Sequence, residues 1–344
     1  MERPDLSHVN ADVVAYIEHL ESQLLSRSRK SAEMRVSAEL EPSEPPTTIN
    51  IITVTEAGLA KRTARHLYSR QRRSGMGVFD IEATEDEPPY LLVEADASDD
   101  LIAVTNQGRV FRFAVSAIAA TSVRGEGEPI NHLLKLLPSE YIAALLRADQ
   151  GLYLNLLSER GWVRHVRNTY LGGGMIQGIR YHKTSQGGEI VSACWSTGED
   201  DIFIATEKGI GIRFAERQIP TSGCLGMRVD MSDKALAITA TRDDGNVAVI
   251  GHDGKGTVRV MSGFRKNKAP GAGGKVILKT DKLAGVQAVA PGNDLFIISK
   301  LSKIIRFSAD EIPPKTGVVQ GVNCMTLRSD EAMTLIVSGQ NDPA

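Results

Sequence analysis

One pattern recurs six times between Ile49 and Ser338 and constrains the fold more than any other feature of the chain. It is an apolar strand, a tight turn, and a second strand carrying a basic residue. The copies are INIITVTEAGLAKRT from Ile49, DLIAVTNQGRVFRF from Asp100, LYLNLLSERGWVRHV from Leu152, DIFIATEKGIGIRF from Asp201, NVAVIGHDGKGTVRV from Asn246 and DLFIISKLSKIIRF from Asp294. Their turn positions, Gly58, Gly108, Gly161, Gly209, Gly256 and Ser302, are separated by 50, 53, 48, 47 and 46 residues. A tight hairpin needs positive φ, which glycine supplies without strain. Ser302 therefore demands a different turn geometry or some strain. A glycine-rich element follows the hairpins, as in SGMGVFDI from Ser74 or TGVVQGVNCMTL from Thr316, and then a short apolar run such as ALAITAT from Ala235. Three to four strands per repeat, six times over, predict an all-β, six-bladed ring of small sheets, closed so that only short sheet edges are left. The segment PSEYIAALLRA (138–148) reads either as a helical interruption or as a strand beginning at Tyr141, because YIAALL is too short for its period to decide.

The ring is predicted over residues 47–338, with 339–344 as a tail. Before it, Val13, Ile17, Leu20 and Leu24 follow a candidate cap at Asn10 or Asp12 at spacings of four, three and four, the stripe of an amphipathic α-helix within residues 1–30. That stripe suits a helix lying on its own domain, a short dimerising coiled coil that would make a homodimer, or a frayed arm. Residues 31–46, with Pro42, Pro45 and Pro46 and little apolar content, read as a flexible linker.

Charge is nearly balanced, 40 basic against 42 acidic residues, so any nucleic-acid reading depends on where the charges sit. Residues 1–50 hold five basic and nine acidic side chains, which leaves the remainder slightly basic. Cys194, Cys224 and Cys324 lie far apart and suggest a reduced, cytoplasmic chain. No apolar run approaches the ~20 residues of a membrane span, and the N-terminus lacks a signal-peptide pattern.

Several catalytic and cofactor motifs fail. APGAGGKVI from Ala269 lacks the Ser or Thr that follows the lysine of a phosphate loop, and GGGMIQG from Gly172 lacks nucleotide-binding spacing. The seven histidines are scattered, no HExxH or GxSxG occurs, and Trp162 and Trp195 are isolated strand aromatics. No catalytic residue, metal site or cofactor is expected.

Within the first repeat stands QRRSGMG, Gln71 to Gly77. It resembles the gyrase A box, Gln, basic, Arg, Gly, Gly, basic, Gly, matching at Gln71, Arg72, Arg73, Gly75 and Gly77, with Ser74 for a glycine and Met76 for a cation. GLAKRT (58–63), TNQGRVFRF (105–113) and GEPINHLL (127–134) agree in kind. Over roughly residues 47–338 the chain resembles the C-terminal domain of bacterial DNA gyrase A and of its topoisomerase IV relative. The resemblance implies a β-pinwheel whose blades exchange strands. It also implies DNA wrapped on a basic outer rim and helped by the box. Residues 1–46 have no room for the family's DNA-cleaving region, so the expectation is a wrapping domain encoded alone.

Affinity for a DNA backbone comes mostly from Lys and Arg that neutralise phosphates and release counterions. The recurrent hairpin cations Lys61, Arg62, Arg112, Arg164, Arg213, Arg259 and Arg306 are expected to form a belt on one face or rim. Two denser clusters join them. Arg65, Arg70, Arg72 and Arg73 extend the first hairpin, and Arg265, Lys266, Lys268 and Lys275, with Lys279 and Lys282, follow the fifth. In a six-bladed ring the first and fifth blades are separated only by the sixth, so the two clusters are expected to bracket one end of a DNA arc. Residues 78–100 carry nine acids and no base, a solvated loop or an edge that repels DNA. No helix-turn-helix or zinc-finger signature occurs, so backbone and shape readout are expected. The predicted function is non-enzymatic, sequence-independent binding and bending of double-stranded DNA, as a nucleoid or topoisomerase-accessory protein alongside type IIA topoisomerase subunits. The alternative is a propeller scaffold for another protein.

Overall fold

The computed structural model describes residues 44–339. The helix expected at Val13, Ile17, Leu20 and Leu24, most of the linker and nearly all of the tail lie outside these residues. The described chain forms six antiparallel-based sheets and six short 3₁₀ turns. The all-β, six-bladed reading holds.

Each blade is built on one predicted hairpin. Blade 1 pairs Ile49–Thr55 with Leu59–Ala64, blade 2 pairs Asp100–Thr105 with Arg109–Ala114, and blade 3 pairs Tyr153–Ser158 with Trp162–Arg167. Blade 4 pairs Asp201–Thr206 with Ile210–Ala215, blade 5 Asn246–Gly251 with Lys255–Val260, and blade 6 Asp294–Ser299 with Lys303–Ser308. A third strand lies outside the first in every sheet: Pro89–Asp96, Ile142–Arg147, Ile190–Ser196, Ala235–Thr241, Leu283–Val289 and Ala332–Ser338. These six touch one another in cyclic order and line a central cavity of about 570 Å³. The segment 138–148 is therefore the third strand of blade 2, beginning at Ile142; the helical option fails and the strand option stands.

The fourth, outermost strand of each blade is donated by the next repeat. Glu128–Pro129 completes blade 1, Ile179–Arg180 blade 2, Cys224–Leu225 blade 3 and Lys275–Val276 blade 4. Blade 5 receives both Pro314–Lys315 and Val322–Asn323, and Val78–Phe79 from the first repeat crosses to blade 6. That last exchange closes the ring. The buried side chains form clusters between adjacent blades, such as Ile202, Ile204, Ile212 and Phe214 with Leu157 and Val163.

The turns follow one recipe. In five blades the last residue of the first strand offers a hydroxyl to the amide four residues on, as Thr105 Oγ1 accepts from Arg109 N (3.1 Å) and Ser299 Oγ from Lys303 N (3.1 Å); blade 5 has Gly251 there, and Asp253 Oδ1 accepts from Lys255 N instead (3.1 Å). The residue before the second strand has positive φ: Gly58, Gly108, Gly161 and Gly209 as expected. In blade 5 it is Gly254 (φ +75°), not Gly256, which lies within the strand. Ser302 takes the same left-handed conformation (φ +59°) rather than another turn type, at a cost of roughly 1–2 kcal/mol for a residue with a Cβ.

Candidate nucleic-acid interface

The hairpin arginines do not form a surface belt. Arg62, Arg112, Arg213 and Arg306 occupy one register position, opposite Ile52, Ile102, Phe203 and Phe296. From there each reaches the 3₁₀ turn of the next blade and donates to a carbonyl in it or at its end. Arg62 Nε reaches Ile118 O (2.8 Å), Arg112 Nη1 reaches Leu171 O (2.9 Å), and Arg213 Nη1 reaches Met261 O (2.6 Å). Arg306 Nη1 reaches Tyr68 O (3.2 Å) in blade 1. Three of them also pair with the aspartate that opens their own hairpin: Arg112 with Asp100, Arg213 with Asp201 and Arg306 with Asp294, at 2.6–2.8 Å. These are latches between blades. Blade 3 has His165 at this position and blade 5 has Val258, by their place four residues after the turn glycines Gly161 and Gly254.

The neighbouring cations are engaged as well. Lys61 is fully buried against Asp80 (2.8 Å), whose carboxylate also accepts from Thr53 Oγ1 and Tyr68 OH. Arg259 is buried, donates to Gly317 O and has its pKa lowered by burial. Arg65 is buried among Glu44, Glu94 and Gly339 O, and Glu44 bridges it to Arg306. Burial alone would raise the Glu44 pKa, but hydrogen bonds from Arg65 and Arg306 outweigh it and hold the carboxyl below its usual range. Arg70 pairs with Asp294 at 2.9 Å. Arg164, one register off the latch, remains partly exposed. The expected belt is thus corrected at Lys61, Arg62, Arg112, Arg213, Arg259 and Arg306, and the first dense cluster at Arg65. The loop leading to the exchanged strand pairs with the backbone of the latch residues on the outer side, as Arg62 N donates to Ala119 O (2.9 Å), and the latch side chain faces the next blade instead of water.

Exposed cations gather on the loops that carry the exchanged strands, at the opposite edge of each sheet from the central cavity, while Lys135, Arg167, Lys208, Arg217, Lys234, Arg242, Lys255 and Arg328 are exposed elsewhere. On blade 4, loop 264–282 presents Arg265, Lys268, Lys275, Lys279 and Lys282 as exposed side chains. Lys266 in the same loop pairs with Asp201 (3.1 Å) and Asp243 (3.7 Å). On blade 6, loop 68–79 presents Arg72 as exposed and Arg73 as half-buried. Lys315 is exposed on blade 5, Arg180 and Lys183 on blade 2, Arg124 on blade 1 and Arg228 on blade 3. Lys315, Arg180, Lys183, Arg124 and Arg228 lie outside the basic hairpins and dense clusters, so the sequence pattern passed over them. From the 3₁₀ turn through the exchanged strand, the six rim segments (68–79, 118–129, 171–180, 219–225, 264–276 and 312–323) hold ten basic and two acidic residues, in a chain of net charge −2. The two clusters are displaced by one blade from where the hairpins would place them. They lie on blades 6 and 4, with blade 5 between.

The acidic stretch divides. Asp80 is the buried partner of Lys61, half-buried Glu94 pairs with Arg65 at 3.1 Å, and Asp99 pairs with Arg147 at 2.7 Å. Glu82, Glu85, Asp86 and Glu87 are exposed.

Segments 50–87, 99–147, 200–227 and 293–336 match the family model described as DNA gyrase C-terminal domain, beta-propeller. Over 307 residues the chain is 28% identical to the DNA gyrase A protein of Mycolicibacterium smegmatis, covering 85% of this chain and 36% of that protein. The DNA gyrase A protein of Mycoplasma pneumoniae is 24% identical over 304 residues, covering 86% and 36%. The chain resembles the C-terminal domain of DNA gyrase A. It spans little more than a third of the length of these relatives. The fold agrees with a solved DNA gyrase A C-terminal domain at TM-score 0.75 and 18% identity, covering 85% of this chain and all of that one. It agrees with the C-terminal domain of DNA topoisomerase IV at TM-score 0.60 and 16% identity, covering 84% and 93%.

The gyrase-box segment lies across the ring closure. Gln71 N donates to Arg306 O (2.7 Å), Arg73 N to Glu311 Oε2 (3.0 Å) and Ser74 N to Cys324 O (2.8 Å), while Thr326 N donates to Gly75 O (2.9 Å). Ser74 has φ +70°, which explains the glycine in the family's box, and its hydroxyl donates to Asn323 O (2.9 Å). At Gly77 (φ +72°) a Cβ would stand 2.6 Å from Ile304 O. At Gly75 it would stand 2.5 Å from the Gln71 side-chain oxygen. Gln71, Gly75 and Gly77 therefore serve docking of the loop, while Arg72 is exposed and half-buried Arg73 donates from Nη1 to Asn323 O (3.2 Å). Met76 is 52% exposed, so a cation here would reach solvent, and its absence leaves the loop one charge short.

Proposed function

We propose that the chain binds and bends double-stranded DNA without catalysis and without strong sequence preference, through the exchanged-strand loops of its rim. The observation that carries this reading is the excess of exposed cations on those loops. Phosphate neutralisation supplies affinity with no base readout. Cations spread along a curved edge suit a duplex, whose bending costs roughly 1–6 kcal/mol and must be offset by contacts along its path. The relatives are DNA gyrase proteins, which supports a role in DNA topology. We place the protein in the cytoplasm, on the nucleoid, beside type IIA topoisomerase subunits. Among the described residues no helix is long and apolar enough to cross a membrane.

Gel shift of a mixed-sequence duplex tests the reading. Log affinity falls linearly with log salt, with a slope of about −0.9 per neutralised phosphate. Absence of any shift at low salt, or a salt-insensitive one, overturns it. Relaxing a plasmid in the presence of the protein then reports wrapping as a change in linking number.

A further inference from the structure

We infer that DNA is carried by one half of the ring, the rim of blades 4, 5 and 6, and leaves it at the boundary between blades 6 and 1. This rests on the DNA-binding reading above and narrows it to a path. Strand exchange sets the distribution. Counted from the 3₁₀ turn through the exchanged strand, the rim segments of blades 4, 5 and 6 (264–276, 312–323 and 68–79) carry net charges of +4, +1 and +3, whereas those of blades 1, 2 and 3 (118–129, 171–180 and 219–225) carry −1, +1 and 0. The three basic loops are consecutive, so one duplex follows them without a gap.

The ends and the middle of the arc are marked independently. At the 6–1 boundary, blade 1 presents exposed Glu126 and Glu128 beside Arg124. Glu82, Glu85, Asp86 and Glu87 are exposed on the stretch between the strand given to blade 6 and the third strand of blade 1. These six carboxylates adjoin the box loop, and at physiological salt charge repulsion reaches about 8 Å. In the middle, blade 5 has two short strands end to end along the outer edge of Lys255–Val260, Pro314–Lys315 against Val258 and Arg259 and Val322–Asn323 against Lys255 and Gly256, so that edge is paired along most of its length. A Cβ at Gly317 would meet nothing within 4 Å, and one at Gly273 only the end of Arg228. Backbone amides there are open to approach by phosphates. Blade 2, with Arg180, Lys183 and the open Gly172 to Gly174, is the strongest competitor and provides the control.

The test compares two triple variants of the full chain, with all six targets exposed. One carries Arg265→Ala, Lys268→Ala and Lys275→Ala. The other carries Arg124→Ala, Arg180→Ala and Lys183→Ala. Duplex affinity is measured across a salt series, and thermal unfolding checks that each variant is folded. The first triple flattens the log affinity–log salt slope by about 2 to 3, and the second by less than about 1. Equal flattening by both overturns the half-ring path and leaves DNA binding intact, because contacts then run round the whole rim. Flattening by neither, with the unsubstituted protein binding, also overturns it. An unsubstituted protein with no salt-dependent binding removes the DNA reading itself, and the path with it.

Discussion

The hairpins and the rim loops carry the same kind of residue to opposite ends. Arg213 and Arg306 are 1% and 7% exposed, ion-paired, and hydrogen-bonded to the next blade. Arg265, Lys268 and Lys275, of similar charge and chain length, stand in solvent. The difference is place in the sheet. A cation at the latch register of the second strand faces a neighbouring blade, whereas Arg265, Lys268 and Lys275 on the exchanged strand and its loop face water. A charged residue that recurs at one register of a repeat therefore meets a demand of the repeat itself, here the joining of blades. The cations that vary from loop to loop are the ones available to a partner.

The sharpest way to break that comparison is to remove a latch. Arg213→Ala strips Asp201 of its main buried partner, removes the second donor to Met261 O and leaves Phe264 O without its guanidinium donor. Breaking a buried pair from one side costs about 3–5 kcal/mol, so denaturant unfolding shows a large loss of stability. The salt slope of DNA binding by the protein still folded is unchanged. If stability holds and the slope flattens instead, Arg213 belongs with the rim cations and the distinction collapses.

A smaller effect is expected where the box meets blade 6. Gly77→Ala forces a Cβ to within 2.6 Å of Ile304 O at φ +72°, and strained backbone of this kind costs roughly 1–3 kcal/mol. The pairing of Val78–Phe79 with Lys303 and Ile304 loosens, which limited proteolysis near residues 74–80 detects. A variant as stable as the parent, with weaker DNA binding, would make Gly77 a ligand contact instead of a closure residue.

The blades themselves were legible because each hairpin carries its own period-two pattern and turn chemistry. The wrong turn glycine, Gly256 for Gly254, came from two glycines two residues apart in HDGKG, between which only the register of pairing decides. The latches were half legible. Asp100 and Arg112, Asp201 and Arg213, and Asp294 and Arg306 share one spacing of twelve residues, a repeated pairing that the arginines considered alone conceal. The rim was not legible. Exchanged strands are two residues long, too short for any periodic signal, and each belongs to a blade that its own repeat does not encode. Only the register shows that Lys275 lies on blade 4 and Val78 on blade 6.

The smallest predicted effect concerns the joint between blades 3 and 4, where no arginine latch exists. His165 stands at the latch position, stacked on Tyr153 at 4.6 Å, and burial followed by the charge of Arg167 lowers its pKa, so it is neutral at pH 7. Opposite it the 3₁₀ turn of blade 4 begins with Glu216, a fully buried carboxyl that accepts from Ser196 Oγ and Gly198 N and has no cation pair among the described residues. Burial, above all, raises its pKa, and nearby Asp200 adds to the rise. A carboxyl whose folded pKa exceeds its unfolded value binds more protons in the folded state. Its contribution to stability is therefore favourable at low pH and is lost as pH climbs from the unfolded value through the raised folded one. Glu216→Gln keeps the hydrogen-bonding shape and removes the charge. It is expected to match the parent below the unfolded pKa and to be more stable than the parent at neutral pH, as read by unfolding midpoints at both. Parent and variant with parallel pH profiles would mean that this joint holds its charge as well as the latched ones, and that the arginines are not what distinguishes the joints.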